Sequence, residues 1–138
     1  MTSYLLIIGG SLFGILGLLH AHYTYADISL PRRLVPDDAA VIDAMSASGV
    51  RLARGGTTMW RAWVGFNFSH SLGAVMFGLG CIAVGLSLAT LALPKAALLV
   101  PVVIGAVYLW LAILYWFRIP VIGIAAGTLC FSIGCLLY

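Results

Sequence analysis

The stretch Ala62–Pro94, AWVGFNFSHSLGAVMFGLGCIAVGLSLATLALP, contains no charged residue. It is longer than the roughly 20 apolar residues that an α-helix needs to cross a hydrocarbon core of about 30 Å. The same reading extends outward. Residues 1–26 carry no charge, and only Lys95 and Arg118 interrupt the chain from Ala62 to Tyr138, leaving the runs 96–117 and 119–138. Four apolar runs of crossing length predict an all-α fold: an integral membrane four-helix bundle in a single domain. The expected spans are about 4–25, 61–90, 97–117 and 120–138, with one substantial loop over about 27–58.

Composition agrees. The chain is 63% hydrophobic and 8% charged, against about 25% charged residues in soluble domains, and its mean hydropathy is +1.14. The formal net charge of +3 is too small and too scattered to point to nucleic acid. Its placement says more. Asp27, Arg32, Arg33, Asp37, Asp38, Asp43, Arg51, Arg54 and Arg61 all fall within 27–61. With four crossings, this loop and Arg118 share one side, and Lys95 and both termini share the other. Six basic residues then face one, and the richer side marks the cytoplasm. The expected location is a bacterial inner membrane, multi-pass, with both termini periplasmic.

A cleaved signal peptide competes for residues 1–25. Met1–Tyr4 has no Lys or Arg and the apolar run outlasts an ordinary signal sequence, so a permanent first helix is expected. Cys81, Cys130 and Cys135 all lie in expected spans, where thiols pack as small apolar groups. Cys130 and Cys135 stand about 140° apart around a helix, a poor arrangement for a shared metal.

Within the first helix Gly10, Phe13, Gly17, His20, Thr24 and Asp27 recur at spacings of three and four and share one face. His22 points elsewhere, near Tyr23 and Tyr25. In the loop, Pro36-Asp37-Asp38 opens a short helical pattern with Val41, Ile42 and Met45 on one stripe and Gly49 at its end. Arg51, Arg54 and the break Gly55-Gly56 follow. This predicts an amphipathic helix on the cytoplasmic surface, held by apolar burial and by anionic lipid; a solvated connector is the alternative.

The second helix places Trp60, Arg61 and Trp63 at the interface as anchors, with Arg118 in the same role at the end of the third. Beyond them Trp63, Asn67, His70, Ser71, Ala74 and Gly78 share a face, and Pro94 closes the helix. In the third, Pro101 starts or kinks the helix, and Tyr108, Ala112 and Tyr115 fall on one stripe. The short connection Arg118-Ile119-Pro120 makes helices three and four antiparallel neighbours. Gly123 and Gly127 give the fourth a small-residue packing face.

Ionisable and amide groups inside a membrane are costly and mark candidate sites. Here they are His20, Asn67 and His70, supported by Ser69, Ser71, Tyr108 and Tyr115. No Asp, Glu or Lys occupies the middle of a span. That disfavours a proton-coupled exporter built on a buried carboxylate, and equally a carboxylate-bridged di-iron site. Asn67 and His70 lie roughly 9–14 Å inside Arg61, a depth that His20 and Tyr115 share.

Three uses of this cluster differ in class. His20 and His70 on facing helices are candidate ligands for haem iron or a transition metal. His70 could act as an acid/base with Asn67 orienting a lipidic substrate. Or Asn and His simply hydrogen-bond one helix to another. The last is favoured: a non-enzymatic structural or accessory component of a membrane assembly, with lipids and a homo-oligomer or larger complex as partners. A haem-, metal- or lipid-binding site at His20, Asn67 and His70, with Ser71 and Tyr115, is the alternative.

Thr57–Gly73, T-T-M-W-R-A-W-V-G-F-N-F-S-H-S-L-G, resembles a signature, W-x-x-W-x-G-F-N-x-S-H-S-x-G, of a family of small uncharacterised bacterial four-helix membrane proteins. The likeness is specific around Trp60, Gly65, Asn67, Ser69, His70 and Gly73 and loose over helices three and four. It implies a bacterial inner membrane, singles out the Asn67/His70 face, and carries no activity with it.

Overall fold

The computed structural model describes residues 1–91 and 93–138. Its elements are α1 (Thr2–Ser29), α2 (Ala39–Ala47), α3 (Met59–Ser87), α4 (Leu99–Tyr115) and α5 (Arg118–Leu136). Short 3-10 turns cover Arg51–Ala53 and Lys95–Leu98. Among the described residues there is no strand beyond an isolated antiparallel bridge between Gly49 and Thr58. Four helical stretches, Thr2–Ser29, Met59–Ser87, Lys95–Tyr115 and Arg118–Leu136, are long and apolar enough to cross a membrane.

The helix ends depart from the hydropathy pattern because local hydrogen bonds set them. α1 runs on to Ser29, past the expected end near Tyr25, and the Leu30 N–H still bonds the Ala26 carbonyl at 3.1 Å. α3 stops at Ser87, short of Pro94: the N–H groups of Thr90 and Leu91 and the Thr90 hydroxyl all turn back to the Ser87 carbonyl. Pro101 lies in the first turn of α4 and Pro120 in the first turn of α5. There a missing N–H has no helical partner to lose, so neither proline breaks its helix.

Contacts divide the chain into two units, Met1–Leu16 with Ala74–Tyr138, and Gly17–Gly73. In the first, α4 and α5 pack together and the core gathers Leu6, Phe13, Cys81, Leu98, Phe131 and Cys135 among others. Phe13 meets the rings of Phe77, Tyr108 and Phe131 at centroid distances of 4.9, 5.6 and 5.7 Å. Small residues let the helices come this close. A Cβ on Gly78 would collide with the Gly10 carbonyl and the Gly14 backbone, and one on Gly127 would lie 2.9 Å from the Phe13 ring. Backbone contact of this kind is how helices associate where burial from water supplies no drive. The stripe read on α4 holds only in part: Ala112 is buried and Tyr108 half-buried, but Tyr115 is exposed.

The second unit comprises the end of α1, the loop with α2, and the start of α3. Asp38 caps α2, its side chain accepting the Ala40 N–H at 2.8 Å. Ile42 and Met45 are half-buried while Val41 is exposed. Thr58 caps α3, its hydroxyl accepting the Arg61 N–H at 3.3 Å. The loop is fastened at both sides. Asp27 accepts the backbone N–H groups of Arg32, Arg33 and Leu34 at 3.0, 3.1 and 2.7 Å, and the Trp63 indole donates to the Leu34 carbonyl at 3.2 Å.

Candidate functional site

The second unit holds the polar groups singled out by spacing. His20 projects from α1. Asn67, His70 and Ser71 occupy one face of α3, since residues three and four apart are neighbours on a helix. His20 Nε2 and Asn67 Oδ1 are 2.8 Å apart. The Asn67 amide nitrogen donates to the Trp63 carbonyl at 2.8 Å, and the Ser71 hydroxyl donates to the Asn67 carbonyl at 2.8 Å. Thr24 likewise returns its hydroxyl to the His20 carbonyl, at 2.9 Å. The His20 and His70 rings lie edge to face at 5.4 Å and 71°. The Phe66 and His70 rings lie near parallel, with centroids 6.3 Å apart.

These bonds fix the chemistry of His20. A carbonyl only accepts, so the Trp63 carbonyl must receive the Asn67 NH2 group, and Asn67 Oδ1 is left facing His20. His20 Nε2 therefore carries a proton and donates it. A protonated ring nitrogen has no lone pair for a metal, which leaves only Nδ1 as a donor atom on this ring.

Zinc sites take three or four protein ligands, and among the described residues no group of three or more His, Cys, Asp and Glu is placed to hold a metal ion. The space beside the cluster is small as well. A cavity of about 10 Å3, lined by Thr24, Asp27, Asn67, Trp60 and Trp63 among others, accommodates about one water. Every buried side-chain nitrogen and oxygen among the described residues has a hydrogen-bond partner.

The structure thus brings together His20, Asn67, His70 and Ser71, but not all of the supporting residues. Tyr115 belongs to the other unit, at the end of α4, and is 76% exposed. Tyr108 joins the Phe13 aromatic cluster in that unit. Ser69 is exposed and its hydroxyl bonds the Phe66 carbonyl. Among the anchors, Arg61 and Arg118 are exposed and Trp60 is half-buried. Trp63 is more than an interfacial ring, since its indole pins the loop at Leu34.

Sequence reasoning missed the role of Asp27. It ends the stripe Gly10–Asp27 and was readable only as a boundary charge, yet its carboxylate is buried and organises the loop after α1. The available signal was an acidic residue on a packing face, followed within a few positions by a segment needing backbone acceptors. No protein family, curated protein or solved structure matches the chain.

Proposed function

We propose that this chain is a multi-pass protein of a bacterial inner membrane. It serves there as a non-enzymatic structural or accessory component of a larger assembly, with the His20–Asn67–His70 cluster fastening α1 to α3. One observation carries the reading: the hydrogen bonds of His20, Asn67 and Ser71 close on one another and on helix carbonyls. Within hydrocarbon the one bond of this set that joins two helices, His20–Asn67, stabilises the pair by about 0.6 kcal/mol on the average for such bonds, and the bonds within α3 hold Asn67 in place for it.

The arginines of 27–61 and Arg118 support a cytoplasmic loop and periplasmic termini. The exposed Val41 on the apolar stripe of α2 supports an interfacial position for that helix. The likeness of Thr57–Gly73 to small bacterial membrane proteins supports the choice of membrane. Exposed apolar side chains on α4, Val103, Val107, Trp110 and Leu114, suit lipid or a second membrane chain.

The test is purification of the tagged full chain from its native membrane in mild detergent after crosslinking. The expected result is a discrete assembly, homo-oligomeric or with a fixed partner, whose composition is the same for His70→Ala. A monomer with no crosslinked neighbour would overturn the accessory role. Loss of the assembly in His70→Ala, with unfolding temperature unchanged, would assign the cluster to a ligand rather than to fastening.

A further inference from the structure

We infer that the turn Gly49–Thr58 is a docking site for anionic phospholipid headgroups. The inference rests on the membrane-spanning reading above. The turn is held as a unit. The Met59 N–H bonds the Ser48 carbonyl at 2.8 Å, Val50 bonds Thr57 at 3.4 Å, and Ala53 and Gly56 close the tip through bonds of 2.9 Å to Val50 and Ala53. At its tip Leu52 is 95% exposed, with Arg51 and Arg54 exposed on either side. An almost wholly exposed leucine between two arginines is matched by a surface that is apolar below and anionic above.

The position of the turn agrees. It runs directly into α3 at Met59, three residues before the charge-free run begins at Ala62, so Met59 lies about 5 Å from the start of that run along the helix. The headgroup layer on each face of a bilayer is about 5–8 Å thick. The Ser48–Met59 bond ties the far end of the turn to the same level.

Arg54 supplies a second observation. It alone among the described non-glycine residues has a positive φ, at 45°, a conformation in which glycine or asparagine costs less. Retaining an arginine there places a cation beside Leu52 at the expense of local backbone energy. The acidic residues of the loop lie elsewhere: Asp37 and Asp38 precede α2 and Asp43 is within it, while the turn follows its C-terminal end.

The arginines make the turn readable by trypsin. The full chain is placed in lipid nanodiscs, which leave both membrane faces open. One set contains phosphatidylcholine alone, the other phosphatidylcholine with phosphatidylglycerol. Cleavage after Arg51 and Arg54 should be about thirtyfold slower in the anionic discs, the scale expected for two arginines at such a surface, and high salt should abolish the difference. Cleavage after Arg33 serves as the internal reference. Arg54→Gly keeps the backbone conformation easy and removes one charge, so the protection at Arg51 should fall several-fold; Leu52→Ser should weaken it as well.

Equal cleavage in both discs, with the chain still co-purifying with the discs, overturns the headgroup site and leaves the membrane reading standing. Protection seen only in native membranes would assign the turn to a protein partner, and likewise overturns it. Failure of the chain to co-purify with discs of either composition would overturn both.

Discussion

Asp27 shows how much one side chain can determine. It ends the apolar face of α1, and its carboxylate accepts three successive backbone N–H groups from the segment that turns away. Bonds to a charged acceptor contribute about 1.5–3 kcal/mol each when isolated, less when they share one group. Asp27→Ala should lower stability by about 2–4 kcal/mol and release 30–36 to proteolysis. Asp27→Asn keeps one carbonyl oxygen but turns an NH2 group toward the Leu34 N–H, so an intermediate loss is expected. Thermal unfolding in mild detergent, read beside limited proteolysis, checks both.

The His20–Asn67 bond calls for a double-mutant cycle. Single changes to alanine should each destabilise, and the coupling between them should be about 0.6–1.7 kcal/mol, the range measured for hydrogen bonds between membrane helices. Coupling near zero would show that the two side chains do not fasten the helices. The choice of Asn67 and His70 was legible because polar residues are rare in charge-free runs and these two share a helical face. Which nitrogen of His20 is committed was not legible, since it follows from the Trp63 carbonyl claiming the other end of the Asn67 amide.

At the scale of elements, glycines separate helix contacts from helix surfaces. Gly78 of α3 meets the backbone of α1 at Gly10 and Gly14, whereas a Cβ on Gly65 or Gly80 of the same helix would touch nothing within 4 Å. Alanine stabilises a helix interior by up to about 1 kcal/mol relative to glycine. Gly65→Ala and Gly80→Ala should therefore be neutral or stabilising. Gly78→Ala should destabilise by about 1–3 kcal/mol, because one backbone must move away from the other. Unfolding midpoints of the three variants in one detergent decide the matter; equal effects would contradict the Gly10–Gly78 contact.

The existence of the four long helices was legible from charge-free runs alone, because hydropathy integrates over many residues. Their ends were not. Ser87 and Thr58 set them through a few local hydrogen bonds, which leave little trace in hydropathy. The stripe on α4 failed at Tyr115 for a related reason: spacing places a residue on a face, but the length of the packed segment decides whether that face is still covered.

For the whole molecule, charge placement predicts topology. Tags fused to either end should be reached only from the periplasmic side of intact cells, and a tag inserted near Gly55 only after the inner membrane is opened. Removing Arg51, Arg54 and Arg61 together should weaken this bias, since orientation follows the balance of Lys and Arg across the membrane.

The most direct measurement is an absorption spectrum with elemental analysis on the full chain, purified in mild detergent from its native membrane. A hydrogen-bonded fastener at His20 and Asn67, with His70 packed against the His20 ring, predicts a sample without a Soret band and without stoichiometric metal, in the wild type and in His20→Ala alike. A Soret band or an equivalent of metal that disappears in both His20→Ala and His70→Ala would contradict it and make the histidines ligands.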